Sequence, residues 1–164
     1  MKNFEIVFES DRIYFINLSE NLVNDYLIMV NDKDVQKNIS KTSKTYTLEE
    51  ELEWIKSKLS ENAIIFSMIE KDTLEYIGNI EIMDIVDNVG VMGIAITPKK
   101  QNQQFGSEAI KEIINYAFKI LNLDYLDLNV YDFNKRAIHC YEKVGFKKVG
   151  VGKDIDEIHM RITK

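Results

Sequence analysis

The fold is decided by one stretch near the C-terminus, Asn134-Lys135-Arg136-Ala137-Ile138-His139-Cys140-Tyr141-Glu142-Lys143-Val144-Gly145-Phe146. Asn134 is a favourable N-cap residue, since its side chain can accept a hydrogen bond from the first helical turn. Ala137, Tyr141 and Val144 follow at the spacing of one helical face. Gly145 suits the left-handed residue that closes many helices. The stretch therefore predicts a helix that begins after residue 134, ends at residue 145 and leads into a strand over residues 146–151.

A strand–helix–strand unit precedes this helix. Residues 89–97 are a β-rich run that Pro98 ends, residues 104–121 carry apolar side chains at helical spacing, and residues 125–130 alternate apolar with polar side chains. Such a unit forms a right-handed parallel crossover. The two strands are therefore expected to be neighbours, and ligands tend to bind where a sheet of this kind changes direction.

The rest of the chain supplies the remaining strands and helices. Further strands are predicted over residues 12–18, 63–70, 76–83 and 157–163, with a turn at residues 87–88. Helices are predicted after Ser19 and after Thr47, which forms a capping box with Glu50. The order along the chain is β-α-α-β-β-β-α-β-α-β-β. It predicts an α/β fold with a mixed, largely antiparallel sheet of six to seven strands and helices on both faces.

Composition limits the class of protein. The 164 residues are 45% hydrophobic and 29% charged, which fits one folded domain over residues 1–164. A net charge of −6 disfavours a nucleic-acid surface, which needs a basic face. A single cysteine, Cys140, cannot form an internal disulfide, and the isolated His139 and His159 predict no metal site. Without a signal-peptide pattern or an apolar run of about 18 residues, we expect a cytoplasmic protein with no membrane partner.

A polar stretch, KKQNQQFGS, spans residues 99–107, and the loop at residues 101–107 within it connects the strand before Pro98 to the next helix. N–H groups at a helix start form a ready anion site, Lys99 and Lys100 add positive charge, and Gly106 allows a ligand to approach the backbone. An ordinary polar loop with a glycine in the first helical turn fits the same residues equally well. Neither a dinucleotide-binding glycine motif nor a P-loop is present.

Taken together, the segment Gly93-Ile94-Ala95-Ile96-Thr97-Pro98, this loop, the following helix and residues 134–146 resemble the GNAT superfamily of N-acetyltransferases. The resemblance covers residues 12–163 and is to the branch with ribosomal-protein and spermidine acetyltransferases. The family loop reads (Gln/Arg)-x-x-Gly-x-(Gly/Ala). Gln101 and Gly106 match its ends, whereas Gln104 replaces the middle glycine, so backbone N–H groups of the helix start are expected to hold the phosphates.

The resemblance implies an enzyme that uses acetyl-CoA to acetylate a primary amine by direct attack in a ternary complex. The acceptor that it implies is a protein N-terminus, a polyamine or another small amine. It implies backbone contacts from Ile94 and Ile96 to the pantetheine arm and a further cofactor contact from Asn134, which is also a good helix cap. The implied pyrophosphate contacts are Gln101, Asn102, Gln103, Gln104, Phe105, Gly106 and Ser107.

Two candidate catalytic residues follow from this resemblance. Tyr141 matches the tyrosine that donates a proton to the departing thiolate, although a core aromatic residue fits its helix as well. Many relatives carry a glutamate just before Gly93, where this chain has Val91-Met92. Glu81 on the preceding strand is the best substitute as the base, with Asp84 next. Two alternatives stay open. Glu81 is a surface carboxylate without a catalytic role, or a water chain carries the proton away and no single base exists.

A second function stays open from the sequence. Gln104 and the missing glutamate also fit a GNAT-shaped module that binds CoA, or nothing, and regulates a partner without turnover. Hydrophobic edge strands at either end of the predicted sheet permit a homodimer. The sequence does not identify the acceptor amine.

Overall fold

A computed structural model describes residues 4–164, which form eight strands and five α-helices. The strands are β1 (Ile6–Glu9), β2 (Ile13–Asn17), β3 (Ile64–Glu70), β4 (Tyr76–Val86), β5 (Val89–Ile96), β6 (Tyr125–Tyr131), β7 (Lys147–Val151) and β8 (Glu157–Thr163). The helices are α1 (Val23–Val30), α2 (Lys33–Ile39), α3 (Leu48–Ser60), α4 (Phe105–Asn115) and α5 (Lys135–Val144). No helix within residues 4–164 combines the length and the apolar character needed to cross a membrane.

The sheet has the strand order β1-β2-β3-β4-β5-β6-β8-β7. β5 and β6 are parallel, in a register of three pairs from Val89↔Tyr125 to Val91↔Asp127, and β6 is antiparallel to β8 along its whole length. The predicted α/β fold, parallel crossover and mixed, largely antiparallel sheet are therefore confirmed. The number of strands differs from the prediction, because β1 was missed and pairs with β2. Three of the four β1 residues are exposed, so this segment lacks the buried–exposed alternation that marks a strand.

Contacts between Cα atoms divide the chain into two compact units. One contains the described residues up to Ile80 together with Ile94–Gly106, and the other contains Glu81–Gly93 and Ser107–Lys164. β4 and β5 contribute residues to both units. A single domain over residues 1–164 stays a prediction.

The first unit is organised by α1, α3 and the strands β2 and β3. Its apolar cluster consists of Ile16, Leu18, Leu22, Tyr26, Met29, Val35, Ile55, Ile65, Ile69 and Tyr76. The predicted capping box is present: Thr47 accepts from the Glu50 N–H at 3.2 Å, and the Glu50 carboxylate accepts from the Thr47 N–H at 3.3 Å. This local signal fixes where α3 begins.

Helical signals in the second unit also act as expected. Asn134 caps α5, since its Oδ1 accepts from the Ala137 N–H at 3.3 Å. Gly145 closes the helix with a left-handed φ of +117°. The predicted helix over residues 104–121 is observed as α4 followed by a π-helical turn, Tyr116–Ile120. The apolar side chains continue from the α-helix into the π-helical turn, so the sequence pattern did not reveal where the helix changes type.

Candidate functional site

The loop over residues 101–107 keeps the backbone shape of a glycine-rich turn without the glycines. Asn102 has a φ of +62° and Gln104 a φ of +64°, while Gln103 between them does not have a positive φ. A left-handed conformation costs an L-residue roughly 1–2 kcal/mol. Alternating backbone handedness directs successive N–H groups to one side and forms an anion-binding concavity. Gln104 therefore changes the side chain at this position but not the left-handed backbone that a glycine would supply.

Three side chains brace this loop by donating to backbone carbonyls. The Gln101 amide donates to the Ile96 carbonyl at 3.0 Å, and the Gln103 amide donates to the Lys99 carbonyl at 2.9 Å. Arg12 Nη1 donates to the Gln103 carbonyl at 3.1 Å. The Arg12 guanidinium also stacks over the buried Phe105 ring, 4.2 Å from its centroid. The loop is thus held by contacts from outside its own backbone.

Strand β5 presents a defined backbone edge next to this loop. Immediately after β5, the Thr97 N–H donates to the Ile77 carbonyl on β4 at 2.8 Å. Successive residues of an extended chain point their N–H and C=O groups to opposite edges. Ile94 and Ile96 therefore direct theirs away from β4, and the Ile96 carbonyl already accepts one hydrogen bond there, from Gln101.

Gly106 lies in the first turn of α4 and has open space above its Cα. Apart from its chain neighbours and the backbone of its own helix, a Cβ added there would meet no heavy atom within 4 Å. Neither packing nor a left-handed backbone requires glycine at this position. The N–H groups of the α4 start, the left-handed residues before it and this open approach fit the phosphates of a nucleotide-like ligand. Ser107, in the same helical turn, is half-buried.

The two lysines before the loop are paired elsewhere, which corrects the expectation that they add charge to the anion site. Lys100 contacts Glu70 at 2.6 Å and Glu75 at 2.8 Å, and its side chain is only 8% exposed. Lys99 contacts Glu75 at 2.8 Å. Hydrogen bonds from Lys100 and then Lys99 lower the pKa of Glu75 from 4.5 to about 2. Carboxylates far from the loop in sequence therefore neutralise both charges.

Arg12 is a cation whose side chain contacts the loop, and sequence reasoning missed it. It lies 91 residues before Gln103 in the chain. No local pattern connects a basic residue at a strand start to a loop that distant. Only pairing of β2 within the sheet brings the two segments together.

Glu81, the predicted base, lies in the second unit on β4. A Cβ added to Gly93 would be 3.2 Å from Glu81 Oε1 and 3.0 Å from the methyl carbon of Met83. The half-buried Glu81 carboxylate thus lies across the Gly93 backbone of the neighbouring strand. Ile80 and Ile82 are buried on the opposite side of β4, as the predicted alternation requires.

Tyr141, the predicted acid, is half-buried on α5 and makes an edge contact with Phe146, with ring centroids 6.1 Å apart. Burial, with a smaller contribution from Cys140, raises the pKa of Tyr141 to about 12. Its phenol is therefore protonated near neutral pH and is a hydrogen-bond donor. Asn134 caps the same helix, and its predicted cofactor contact stays a prediction.

A further charged cluster joins β6 to β8 and was not predicted. Asp127, 4% exposed, accepts from Arg161 Nε at 2.7 Å and Nη2 at 2.9 Å, and lies 2.6 Å from His159 Nε2. Burial alone would raise the pKa of Asp127, but hydrogen bonds from Arg161 and His159 lower it overall. The only sequence signal is one aspartate between the apolar Leu126 and Leu128. The cluster stabilises the register of these two strands.

The fold and the braced loop define an α/β protein with a parallel strand pair and a turn with two left-handed residues at a helix start. The family model described as an acetyltransferase (GNAT) domain matches residues 12–147. This chain belongs to the GNAT acetyltransferase family, which confirms the resemblance seen in the sequence.

Named relatives and solved structures are similar to this chain. A spermidine N(1)-acetyltransferase from Vibrio cholerae is 32% identical over 104 residues, which cover 62% of this chain and 60% of that protein. The chain thus matches about three-fifths of that relative's length. A crystal structure of spermidine N-acetyltransferase from Vibrio cholerae in complex with CoA and spermine has a TM-score of 0.85, at 22% identity and coverages of 94% and 96%. A GNAT-family acetyltransferase from Bacillus anthracis has a TM-score of 0.83, at 20% identity and the same coverages. These likenesses confirm the fold.

Proposed function

We propose that this protein transfers an acetyl group from acetyl-CoA to a primary amine by direct attack. The observation that carries the proposal is the loop over residues 101–107. Its left-handed residues and the following helix start direct N–H groups to an open approach at Gly106, in a chain of the GNAT family. That arrangement suits the pyrophosphate of CoA.

The rest of the cofactor is assigned to β5 and α5. Ile94 and Ile96 pair with the amide groups of the pantetheine arm, since their backbone groups point away from β4. Asn134 is assigned a further contact with the cofactor. Acetyl-CoA supplies the activated thioester, and these residues orient it.

Tyr141 is assigned as the hydrogen-bond donor to the departing CoA thiolate. A phenol with a pKa of about 12 stays protonated. Full proton transfer to a thiolate whose conjugate acid has a pKa of about 8.5 would be uphill by roughly 5 kcal/mol. Tyr141 therefore acts by donating a strong hydrogen bond to the sulfur as negative charge develops there.

Glu81 is assigned as the base. An alkylamine has a pKa near 10 and must lose a proton before it can attack. The Glu81 carboxylate lies across Gly93, next to Ile94 on β5, and is half-buried. It accepts the ammonium proton directly or through a water.

Small polyamines are assigned as the acceptor of the acetyl group. The relative from Vibrio cholerae is named a spermidine N(1)-acetyltransferase. The net charge of −6 attracts a polycation. Peptide N-termini are the competing acceptors and belong in the same assay.

A thiol-release assay tests the activity. The protein is mixed with acetyl-CoA and a panel of spermidine, spermine, simple diamines and short peptides, and free CoA thiol is followed. We expect release with polyamines, and a fall in kcat of about a hundredfold in Tyr141→Phe, the scale of losing one preorganised hydrogen-bond donor to developing negative charge. Tyr14→Phe, which removes a half-buried phenol on β2, is the matched control and keeps wild-type kcat.

Two outcomes contradict the proposal that the protein is an acetyltransferase. Thermal stabilisation by acetyl-CoA without thiol release from any amine points instead to the CoA-binding module. No stabilisation at saturating acetyl-CoA removes the cofactor assignment as well.

A further inference from the structure

We propose that Arg12 is a positioning residue for the phosphate-binding loop, acting through the Gln103–Gln104 peptide and the Phe105 ring. The inference rests on the proposed function, because it assumes that this loop holds the pyrophosphate of CoA. It adds a residue that lies outside both the loop and the motifs by which the family resemblance was recognised.

The first step is the geometry of one peptide bond. Arg12 Nη1 donates to the Gln103 carbonyl at 3.1 Å. A peptide is planar and trans, so its C=O and its N–H point in opposite directions. Fixing the Gln103 carbonyl toward Arg12 therefore fixes the Gln104 N–H away from Arg12. Gln104 is a left-handed residue of the concavity, so its N–H is one of the anion donors.

The second step is the start of α4. The Arg12 guanidinium lies over the Phe105 ring, 4.2 Å from its centroid, and Phe105 is the first residue of that helix. Phe105 is 2% exposed, so the ring is fixed from its other sides by the core. One side chain thus ties the Gln103–Gln104 peptide and the first residue of α4 to the start of β2.

The third step concerns charge. Helix N-termini carry partial positive charge and repel a cation unless an anion is also present. Lys99 and Lys100 are held by Glu70 and Glu75, and the Arg12 guanidinium is held beside this helix start by the Gln103 carbonyl and the Phe105 ring. It lies on the opposite side of the Gln103–Gln104 peptide from the Gln104 N–H, so it positions this donor without contacting the phosphate.

Titration calorimetry with two probes tests the inference. CoA carries the pyrophosphate and pantetheine does not. For Arg12→Ala we expect the Kd for CoA to rise about tenfold, the Kd for pantetheine to stay unchanged, and kcat at saturating acetyl-CoA to stay near wild type. Arg12→Lys keeps the charge and an N–H donor close to the position of the guanidinium, but not the planar group that lies over Phe105, and we expect it to recover part of the affinity for CoA.

Controls separate positioning from folding. Lys99→Ala removes a cation near the loop in sequence, but one that is paired with Glu75, and should leave both Kd values unchanged. Melting temperatures without ligand show whether each variant is folded at the assay temperature. If Arg12→Ala does not fold, Arg12→Lys carries the same comparison with a smaller expected rise in the Kd for CoA.

Three results overturn the inference. Equal losses for CoA and pantetheine in the Arg12 variants mean that Arg12 only maintains the fold. An unchanged Kd for CoA means that the loop does not need Arg12. A wild-type protein that binds neither probe refutes the proposed function first, and this inference with it.

Discussion

A Gly106→Ala substitution is expected to make the protein more stable while weakening its binding of CoA. Glycine in a helix is less favourable than alanine by about 0.8–1.0 kcal/mol. The added methyl would meet no heavy atom within 4 Å, so no clash offsets this gain. We expect the free energy of unfolding to rise by up to about 1 kcal/mol and Tm by about 2–4 °C for a chain of this size.

The effect on binding has the opposite sign. Gly106 lies in the first turn of α4, whose N–H groups are assigned to the pyrophosphate. A methyl on this Cα occupies the space through which a phosphate approaches those donors. Loss of one hydrogen bond to a charged group costs about 1.5–3 kcal/mol. The Kd for CoA is therefore expected to rise about ten- to a hundredfold.

Scanning calorimetry without ligand and titration calorimetry with CoA measure the two effects. Gly150→Ala is the matched control, because Gly150 on β7 also has no heavy atom within 4 Å of an added Cβ. It should bring a similar small gain in Tm with no change in the Kd for CoA. A lower Tm in Gly106→Ala, or an unchanged Kd, would refute the reasoning that glycine is kept here for a ligand.

Three further substitutions test the energetics. Gln104→Gly relieves a left-handed backbone at a φ of +64°, so urea unfolding should show a gain of about 1 kcal/mol or less, whereas Gln104→Ala, which keeps a Cβ, should show none. Asp127→Asn leaves Arg161 without its carboxylate in a partly buried site, and we expect a loss of about 2 kcal/mol, seen as a Tm lower by roughly 4–8 °C. The pKa of Glu75 is lowered from 4.5 to about 2, so its contribution is present above pH 4.5 and is lost as the pH falls toward 2. In Lys100→Met, unfolding followed against pH should depend less steeply on pH in that range.

Each of the three has a contrary result. Equal stability changes in the two Gln104 variants would show that its backbone carries no strain. Wild-type stability in Asp127→Asn would show that the β6–β8 register is fixed without the cluster. An unchanged acid slope in Lys100→Met would show that the ion pair does not lower the pKa of Glu75.

Elements with local signals were predictable from the sequence. The capping box at Thr47, the Asn134 cap and the left-handed Gly145 depend only on residues a few positions apart, and all three are present. The parallel pairing of β5 with β6 followed from chain order and handedness alone. Each of these predictions needs only residues, or elements, that follow one another closely along the chain.

Features that depend on distant residues were not predictable. The sequence puts Lys100 next to the loop, but Glu70, thirty positions away, accepts its charge. Asp127 and Arg161 meet only because β6 and β8 pair in one register. β1 becomes a strand through pairing with β2, although most of its own residues are exposed. A tertiary contact decides each of these cases.

The loop over residues 101–107 shows how a turn can be shaped without glycine. Glycine adopts a left-handed backbone at no steric cost, whereas Asn102 and Gln104 do so only if other contacts compensate. The compensation comes from the Gln101, Gln103 and Arg12 side chains, each of which donates to a backbone carbonyl in or beside the loop. A glycine-rich turn must be ordered when its ligand binds, while a turn braced in this way is ordered beforehand. Gln104 in place of the middle glycine of the family motif is therefore consistent with a preorganised phosphate site. The shape of that site depends on β2 and β5 as much as on the loop itself.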